Sequence, residues 1–147
     1  MLLRARRSNR AFTSKPVPRD YIFRILDAAH RAPTASNMRD VSFTVITDSD
    51  KMKYVSDFTI NSLSGPVKLA GIFKPLLKLF APGVIKQVDK IKARIATYKS
   101  GKDTILRNAK AVIFFHAPKN SRFGIQDANM AYQNASLMAE SIGVSHF

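Results

Sequence analysis

The sequence contains no cysteine and no tryptophan among its 147 residues. The lack of cysteine excludes disulfide bonds, cysteine-ligated zinc and iron–sulfur clusters held by this chain, and it leads us to expect a cytoplasmic protein. Acidic residues are also few, 10 against 24 lysines and arginines, which gives a net charge of +14. A field of that sign attracts nucleic acids, anionic lipids or phosphorylated small molecules, and it does not distinguish among them.

Other absences narrow the functional class. No run reaches the roughly 20 apolar residues that a membrane span needs, and we expect no secretory signal because the N-terminus lacks a long apolar stretch. His30, His116 and His146 lie far apart, which does not fit a metal site. Glycine-rich phosphate loops and a serine nucleophile motif are also missing. The sequence therefore predicts no membrane span, no metal and no catalytic side chain of these types.

Hydrophobic periodicity predicts an α+β fold in one domain over residues 1–147. The second of two predicted strands is apolar on both faces, which predicts a central strand covered on both sides. The last helix carries small residues on several faces, which predicts close packing deep inside the protein or across a subunit interface. Helices are predicted over residues 19–30, 50–58, 84–99 and 127–142, and strands over 41–47 and 111–117.

Residues 59–82 do not give a clear assignment, because glycine and proline interrupt short apolar runs that also carry lysines. A variable insertion packed on the core is one interpretation. Together with the predicted helix over 84–99, it would make residues 59–100 a variable helical region. A lid or dimer arm beside a ligand site is a second interpretation. A helix lying on a membrane surface is a third, since cationic and apolar residues alternate.

The most informative segment is Arg6-Arg7-Ser8-Asn9-Arg10. A guanidinium group can donate two parallel hydrogen bonds to a phosphate, and a serine hydroxyl adds a short donor. Arg6 and Arg10 share a face if the backbone is helical, and Ser8 and Arg10 share one if it is extended. In either conformation two donor side chains can converge on one anion, although a solvated basic surface is the competing interpretation.

Several motifs in order resemble the FMN-dependent nitroreductase family. Arg6 to Phe12 is similar to its Arg-Arg-Ser-x-Arg-x-Phe phosphate motif, and Ala32-Pro33-Thr34-Ala35-Ser36-Asn37 is similar to its Ala-Pro-Ser-x-x-Asn loop. The strand after that loop, the second-strand stretch Ala109–Phe114 and the helix from Asp127 to Gly143 follow at the family's separations. The resemblance implies a nitroreductase-like fold, an antiparallel sheet flanked by helices. We expect a C-terminal segment beyond Phe147 and a dimer partner to complete this sheet, since two strands rarely suffice.

The resemblance also implies the cofactor and its contacts. Arg6, Ser8 and Arg10 would hold the FMN 5′-phosphate, and Arg7 would lie beside the isoalloxazine ring. A second subunit of a homodimer would contribute the flavin-lining residues Thr34, Ala35, Ser36 and Asn37, and Lys102 would add a further flavin contact.

The implied reaction is a ping-pong transfer. NAD(P)H would reduce the flavin, leave, and be replaced by a small-molecule acceptor such as a nitroaromatic or a quinone. The chain departs from the family where Met38-Arg39-Asp40-Val41 replaces the usual Gln-Pro-Trp. Two other interpretations stay open: a member that binds or consumes flavin without this redox reaction, and a nucleic-acid-binding module that uses Lys86 to Lys102.

Overall fold

The computed structural model of the protein describes Arg4 and residues 6–147, apart from the side chains of Leu76 and Pro82. The described residues form two compact units. The first contains the residues up to Thr47 together with Ala109–Phe147, and the second is Asp48–Asn108. The elements in chain order are α1 (Arg19–His30), a 3-10 turn (Ala35–Asn37), β1 (Ser42–Ile46), α2 (Ser49–Ile72), α3 (Lys74–Phe80), α4 (Pro82–Lys99), β2 (Val112–His116) and α5 (Gly124–Ser141).

The core of the first unit lies between α1 and α5 and is built largely from alanine. Ala29 of α1 is 2% exposed, and Ala131 of α5 is 1% exposed. Ala135 and Ala139 continue this buried stripe of α5 at a spacing of four residues. Such small side chains let two helix backbones approach closely, as the sequence predicts. The amide of Asn134 also donates to a main-chain oxygen of α1, that of Ala28, at 3.2 Å.

An antiparallel pair of strands packs on one side of this helix pair. β1 and β2 are in register with Phe43 opposite Phe115, and their rings meet edge to face at 5.4 Å. The ring of Phe115 makes a second edge-to-face contact, at 5.9 Å, with Tyr132 of α5. Aromatic pairs of this geometry stabilise by about 0.5–1.5 kcal/mol beyond the area they bury. The antiparallel sheet flanked by helices is therefore confirmed.

The prediction that β2 is covered on both faces is wrong for the described residues. Side chains alternate along a strand, so Phe115 faces the helices while Phe114 and His116 face the other way. Phe114 is 41% exposed, and among the described residues the sheet contains β1 and β2 alone. On this open face the imidazole of His116 lies 3.1 Å from the hydroxyl of Thr44.

A left-handed glycine ends α5. Gly143 has a φ of +74°, and its N–H donates to the carbonyl of Glu140 at 3.2 Å. The next N–H, of Val144, donates to the carbonyl of Ala139 at 2.8 Å. These two bonds form a Schellman motif, which satisfies carbonyls at the end of the helix and turns the chain sharply. Gly101, with a φ of +93°, ends α4 in the same way.

The second unit is helical and includes the whole of residues 59–82, the segment that the sequence left open. α2 begins at an Asp48 carboxylate that accepts from the N–H of Lys51, and it continues to Ile72, so the predicted end near Phe58 is wrong. Pro66 lies inside the helix on its exposed side, where water can reach the carbonyl whose hydrogen bond is lost. Buried side chains on both sides of Pro66 hold the helix in place. They are Ile60 and Val67, which cluster with Ile95 of α4.

A polar contact also joins α2 to α4. The carboxylate of Asp57 accepts from the ammonium of Lys53 at 2.6 Å and from the hydroxyl of Tyr98 at 2.7 Å. The Lys53 bond, followed by the Tyr98 bond, lowers the pKa of Asp57. Partial burial, followed by the hydrogen bond to Asp57, raises the pKa of Tyr98 to about 12. Both shifts favour the protonated phenol beside the ionised carboxylate.

The end of α5 yields a prediction about stability. A Gly143→Ala variant should lose about 1 kcal/mol of unfolding free energy, because an alanine at this positive φ is strained although the space beside it is open. Gly143→Asn should lose less, since asparagine adopts the left-handed conformation more readily. Urea unfolding of the parent, Gly143→Ala and Gly143→Asn measures their order of stability. An alanine variant as stable as the parent would contradict it.

The Tyr98–Asp57 contact yields a prediction about alkaline stability. Folding raises the pKa of Tyr98 above its usual 10. The contribution of the Tyr98–Asp57 contact to the free energy of unfolding is therefore complete below about pH 10 and is lost as the pH rises through about 12. Tyr98→Phe should therefore make the free energy of unfolding fall less steeply between these pH values. Tyr54→Phe is the matched control, because Tyr54 lies in the same unit and is 67% exposed. Equal slopes for the parent and Tyr98→Phe would contradict the assignment.

Candidate functional site

The arginine segment lies against the residues that follow α5. The N–H of Asn9 donates to the carbonyl of His146 at 2.7 Å, and the Asn9 side-chain amide donates to the hydroxyl of Ser145 at 3.0 Å. Three residues after Asn9, the ring of Phe12 packs against the ring of Phe147 with the ring centres 5.6 Å apart. These contacts fix the segment at the C-terminal end of α5.

A cavity of about 260 Å³ opens beside this contact. Arg7 brings a cation to its wall and Glu140 brings an anion, while Asn9 and the residues of the turn after α5 supply the rest. Of the other segment residues, Arg6 is half-buried, and Ser8 and Arg10 are exposed. Within the described part of the chain, none of the three arginines has an acidic ion-pair partner. The residues that line the cavity are Arg7, Asn9, Glu140, Gly143, Val144 and Ser145.

The loop that contains Thr34–Asn37 forms a second cluster, and its backbone is unusual. Ser36, Asn37 and Arg39 have φ values of 51°, 55° and 51°, in the left-handed region that non-glycine residues seldom adopt. The Thr34 hydroxyl accepts from the N–H of Arg39 at 3.0 Å, and the Asn37 side-chain oxygen accepts from the Arg39 guanidinium at 3.0 Å. Strained backbone of this kind persists where its surroundings impose it, and it is often found at ligand sites.

One residue that fixes this loop was missed by sequence reasoning. Asp127 is 5% exposed, and its carboxylate accepts from the N–H of Ala35 at 3.0 Å. It lies in the first turn of α5, where the helix dipole also favours a negative charge. In the sequence, Asp127 marks only the predicted start of this helix. The sequence did contain a signal for this role. Asp127 lies on the same side of the helix as Ala131 and Ala135, which is predicted to be buried, and a buried carboxylate needs a hydrogen-bond donor.

The helix α5 separates the two clusters within one chain. Asp127 holds the loop at one end, and Glu140 lines the cavity beside Arg7 at the other. These two positions are thirteen residues apart, which is about 20 Å along a helix that rises about 1.5 Å per residue. A single copy of the first unit therefore does not bring Arg6, Arg7, Ser8 and Arg10 together with Thr34–Asn37.

Lys102, the remaining predicted site residue, belongs to the second unit. It follows Gly101 at the end of α4, and its N–H donates to the carbonyl of Thr97 at 3.3 Å. Its side chain is exposed. A role for Lys102 in a shared site stays a prediction.

The elements and their connections define an α+β protein with the nitroreductase-like fold. The sequence model of the nitroreductase family matches residues 3–147, and the chain belongs to this family. No curated protein sequence matches the chain at a significant level. Helices in the described part of the chain are too short or too polar to cross a lipid bilayer.

Solved structures show the same fold at low sequence identity. A nitroreductase from Bacteroides fragilis with bound FMN is 22% identical with a TM-score of 0.61, and the match covers 97% of this chain and 64% of that one. An FMN-dependent nitroreductase from Clostridium difficile is 19% identical with a TM-score of 0.66, covering 97% and 55%. Iodotyrosine deiodinase bound to FMN and 3-iodo-L-tyrosine is 16% identical with a TM-score of 0.67, covering 97% and 68%. The chain thus spans about three fifths of the length of these two nitroreductases.

The Asp127 contact yields a prediction about the loop. Asp127→Ala should reduce stability by about 1–3 kcal/mol, because it leaves the Ala35 N–H without its acceptor and opens space beside it. Amide hydrogen exchange should also accelerate across residues 34–38. Asp127→Asn keeps an acceptor oxygen and should lose less. Asp27→Ala, at an exposed carboxylate of α1 that pairs with Arg31 at 2.8 Å, is the control and should leave exchange in the loop unchanged.

Proposed function

We propose that this protein is an FMN-dependent oxidoreductase that carries reducing equivalents from NAD(P)H to a nitroaromatic, quinone or similar acceptor. Membership of the nitroreductase family supports the proposal, as do the similar folds of proteins that bind FMN. The bound flavin would supply the redox chemistry, and the protein would bind and orient it. The absence of cysteine supports the cytoplasm as the compartment.

The donor chemistry of the arginine segment fits the phosphate end of FMN. Arg6, Ser8 and Arg10 offer guanidinium and hydroxyl donors with no acidic ion-pair partner among the described residues. A phosphate dianion would neutralise part of this positive charge through charge-assisted hydrogen bonds. Arg7, beside the 260 Å³ cavity, would then be placed to favour negative charge on the flavin ring when it is reduced.

The observation that supports a flavin site shared between two subunits is the separation of the two clusters by α5. A site that needs both the arginine segment and the Thr34–Asn37 loop cannot form in one chain, because about 20 Å of helix lies between them. If two copies place their α5 helices antiparallel around a two-fold axis, the arginine segment of one protomer meets the loop of its partner. Two-fold symmetry then gives two equal sites per homodimer.

Exposed apolar side chains on the helices of the first unit are consistent with such a partner. Phe23 of α1 is 62% exposed, and Ile125 and Met130 of α5 are 78% and 45% exposed. Exposed large apolar side chains such as these are available to a protein interface. The homodimer would cover these side chains and close the flavin site in one step.

The phosphate assignment predicts that Arg6→Ala/Arg10→Ala weakens FMN binding at least about 100-fold, since two hydrogen bonds to a charged group are lost. The double variant Arg19→Ala/Arg122→Ala removes the same charge from two other exposed positions and should bind FMN normally. Equilibrium dialysis of the intact proteins measures both affinities. Unchanged affinity in the first variant would refute the assignment.

A heterodimer of two variants, each damaged in one of the two clusters, tests whether the site is shared between protomers. A heterodimer of Arg6→Ala/Arg10→Ala with an Ala35→Trp loop variant has one undamaged site if each site uses both protomers, and it has none if each site lies in one chain. We therefore expect one FMN per two chains in the heterodimer and almost none in either variant homodimer.

The reductase activity is tested on the parent protein with bound FMN. Adding NADH or NADPH under argon should remove the yellow absorbance of the oxidised flavin. A flavin that stays oxidised would favour a non-redox member of the family.

A further inference from the structure

A stretch of the second unit has cations and no anions. Between Asp57 and Asp89 the sequence contains no acidic residue, although four lysines occur there. Lys68 and Lys78 are exposed, and Lys74 pairs with Asp89 at a distance of 3.8 Å in a half-exposed contact. Lys68 and Lys78 therefore carry positive charge that no ion pair offsets within the described part of the chain.

Large apolar side chains that neighbour these lysines in the sequence are also exposed. At the end of α2, Leu69, Ile72 and Phe73 are 58%, 73% and 50% exposed. At the end of α3, Leu79 and Phe80 are each 76% exposed. We call these five side chains, with Lys68 and Lys78, the basic apolar face.

The unit does not need these side chains for its own core. Ile60, Val67 and Ile95 are 3%, 7% and 9% exposed, and partly buried neighbours such as Leu63 and Val88 pack around them. Val67 and Lys68 are adjacent in α2, so the helix turns Val67 inward and leaves Lys68 and Leu69 outward. The basic apolar face is thus a surface left over after the core has formed.

We propose that the basic apolar face binds the surface of an anionic lipid bilayer. Apolar side chains would enter the boundary between headgroups and acyl chains, and the lysines would contact anionic headgroups. The helices in the described residues do not cross a bilayer, which agrees with binding at the surface. This inference is independent of the flavin assignment, because it rests on residues of the second unit alone.

The chemistry of the face favours lipid over two other partners. Lysine is depleted in protein interfaces, whereas this face combines lysines with apolar side chains and lacks acidic ones. Nucleic-acid surfaces use cations, and their aromatic side chains stack on bases, but leucine and isoleucine serve no such role there. Bilayer-surface helices use both features at once.

Sedimentation of the intact protein with vesicles tests the proposal. Vesicles of 70% phosphatidylcholine and 30% phosphatidylserine are the anionic probe, and pure phosphatidylcholine vesicles are the neutral one. We expect clear binding to the anionic vesicles at moderate salt, at least tenfold weaker binding to the neutral ones, and weaker binding as salt rises. Equal sedimentation without vesicles would show self-association and overturn the proposal.

Two variants separate the charge from the apolar contribution. Lys68→Gln/Lys78→Gln should weaken binding to anionic vesicles by about 30-fold, at the usual contribution of a lysine near such a surface. Leu79→Ser/Phe80→Ser should weaken it at least tenfold on the same vesicles. Lys51→Gln/Lys99→Gln removes the same charge from exposed positions elsewhere in the second unit and should bind as the parent does.

Circular dichroism and size-exclusion chromatography show whether each variant keeps its helix content and oligomeric state. Equal losses in Lys68→Gln/Lys78→Gln and Lys51→Gln/Lys99→Gln would indicate a general charge effect and contradict a defined face. A dimer that dissociates only in Leu79→Ser/Phe80→Ser would assign the face to a second copy of the chain instead. Tight binding to an RNA homopolymer, lost in Lys68→Gln/Lys78→Gln and accompanied by no vesicle binding, would also overturn the proposal.

Discussion

The close packing of α5 on α1 is the contact on which the candidate site depends. Ala131, Ala135 and Ala139 form a stripe of small side chains on α5, and Ala29 of α1 packs against it. Because the two backbones approach closely there, α5 is fixed along most of its length. The helix then acts as a rigid spacer, with the strained loop tied to Asp127 at one end and the arginine segment beside its C-terminal turn at the other. A larger side chain in the stripe would force these helices apart and displace both ends.

Local signals in the sequence predict much of this fold. The apolar stripe and flanking prolines define α1 at its observed bounds, and alternation of side chains places β1 to within a residue at each end. Gly101 and Gly143 end their helices because each adopts a positive φ that other residues avoid. The motif order leads to the nitroreductase family, which the family match confirms.

The features that sequence reasoning missed depend on distant partners. α2 continues past Phe58 because residues on both sides of Pro66 are buried against α4, and this packing outweighs the tendency of glycine and proline to end a helix. The open face of β2 cannot be recognised from apolar composition alone. Asp127 escapes notice because its partner, the N–H of Ala35, lies ninety-two residues earlier in the chain.

The first unit is discontinuous in sequence, and the second is one uninterrupted stretch inserted into it. During translation, all of Asp48–Asn108 is synthesised before β2 and α5, so the inserted helices can begin to fold while their host is incomplete. The carbonyl of His146, which accepts from the N–H of Asn9, is synthesised only after the whole inserted unit. The arginine segment is therefore synthesised well before its anchor, and it stays without this contact until residue 146 has been made.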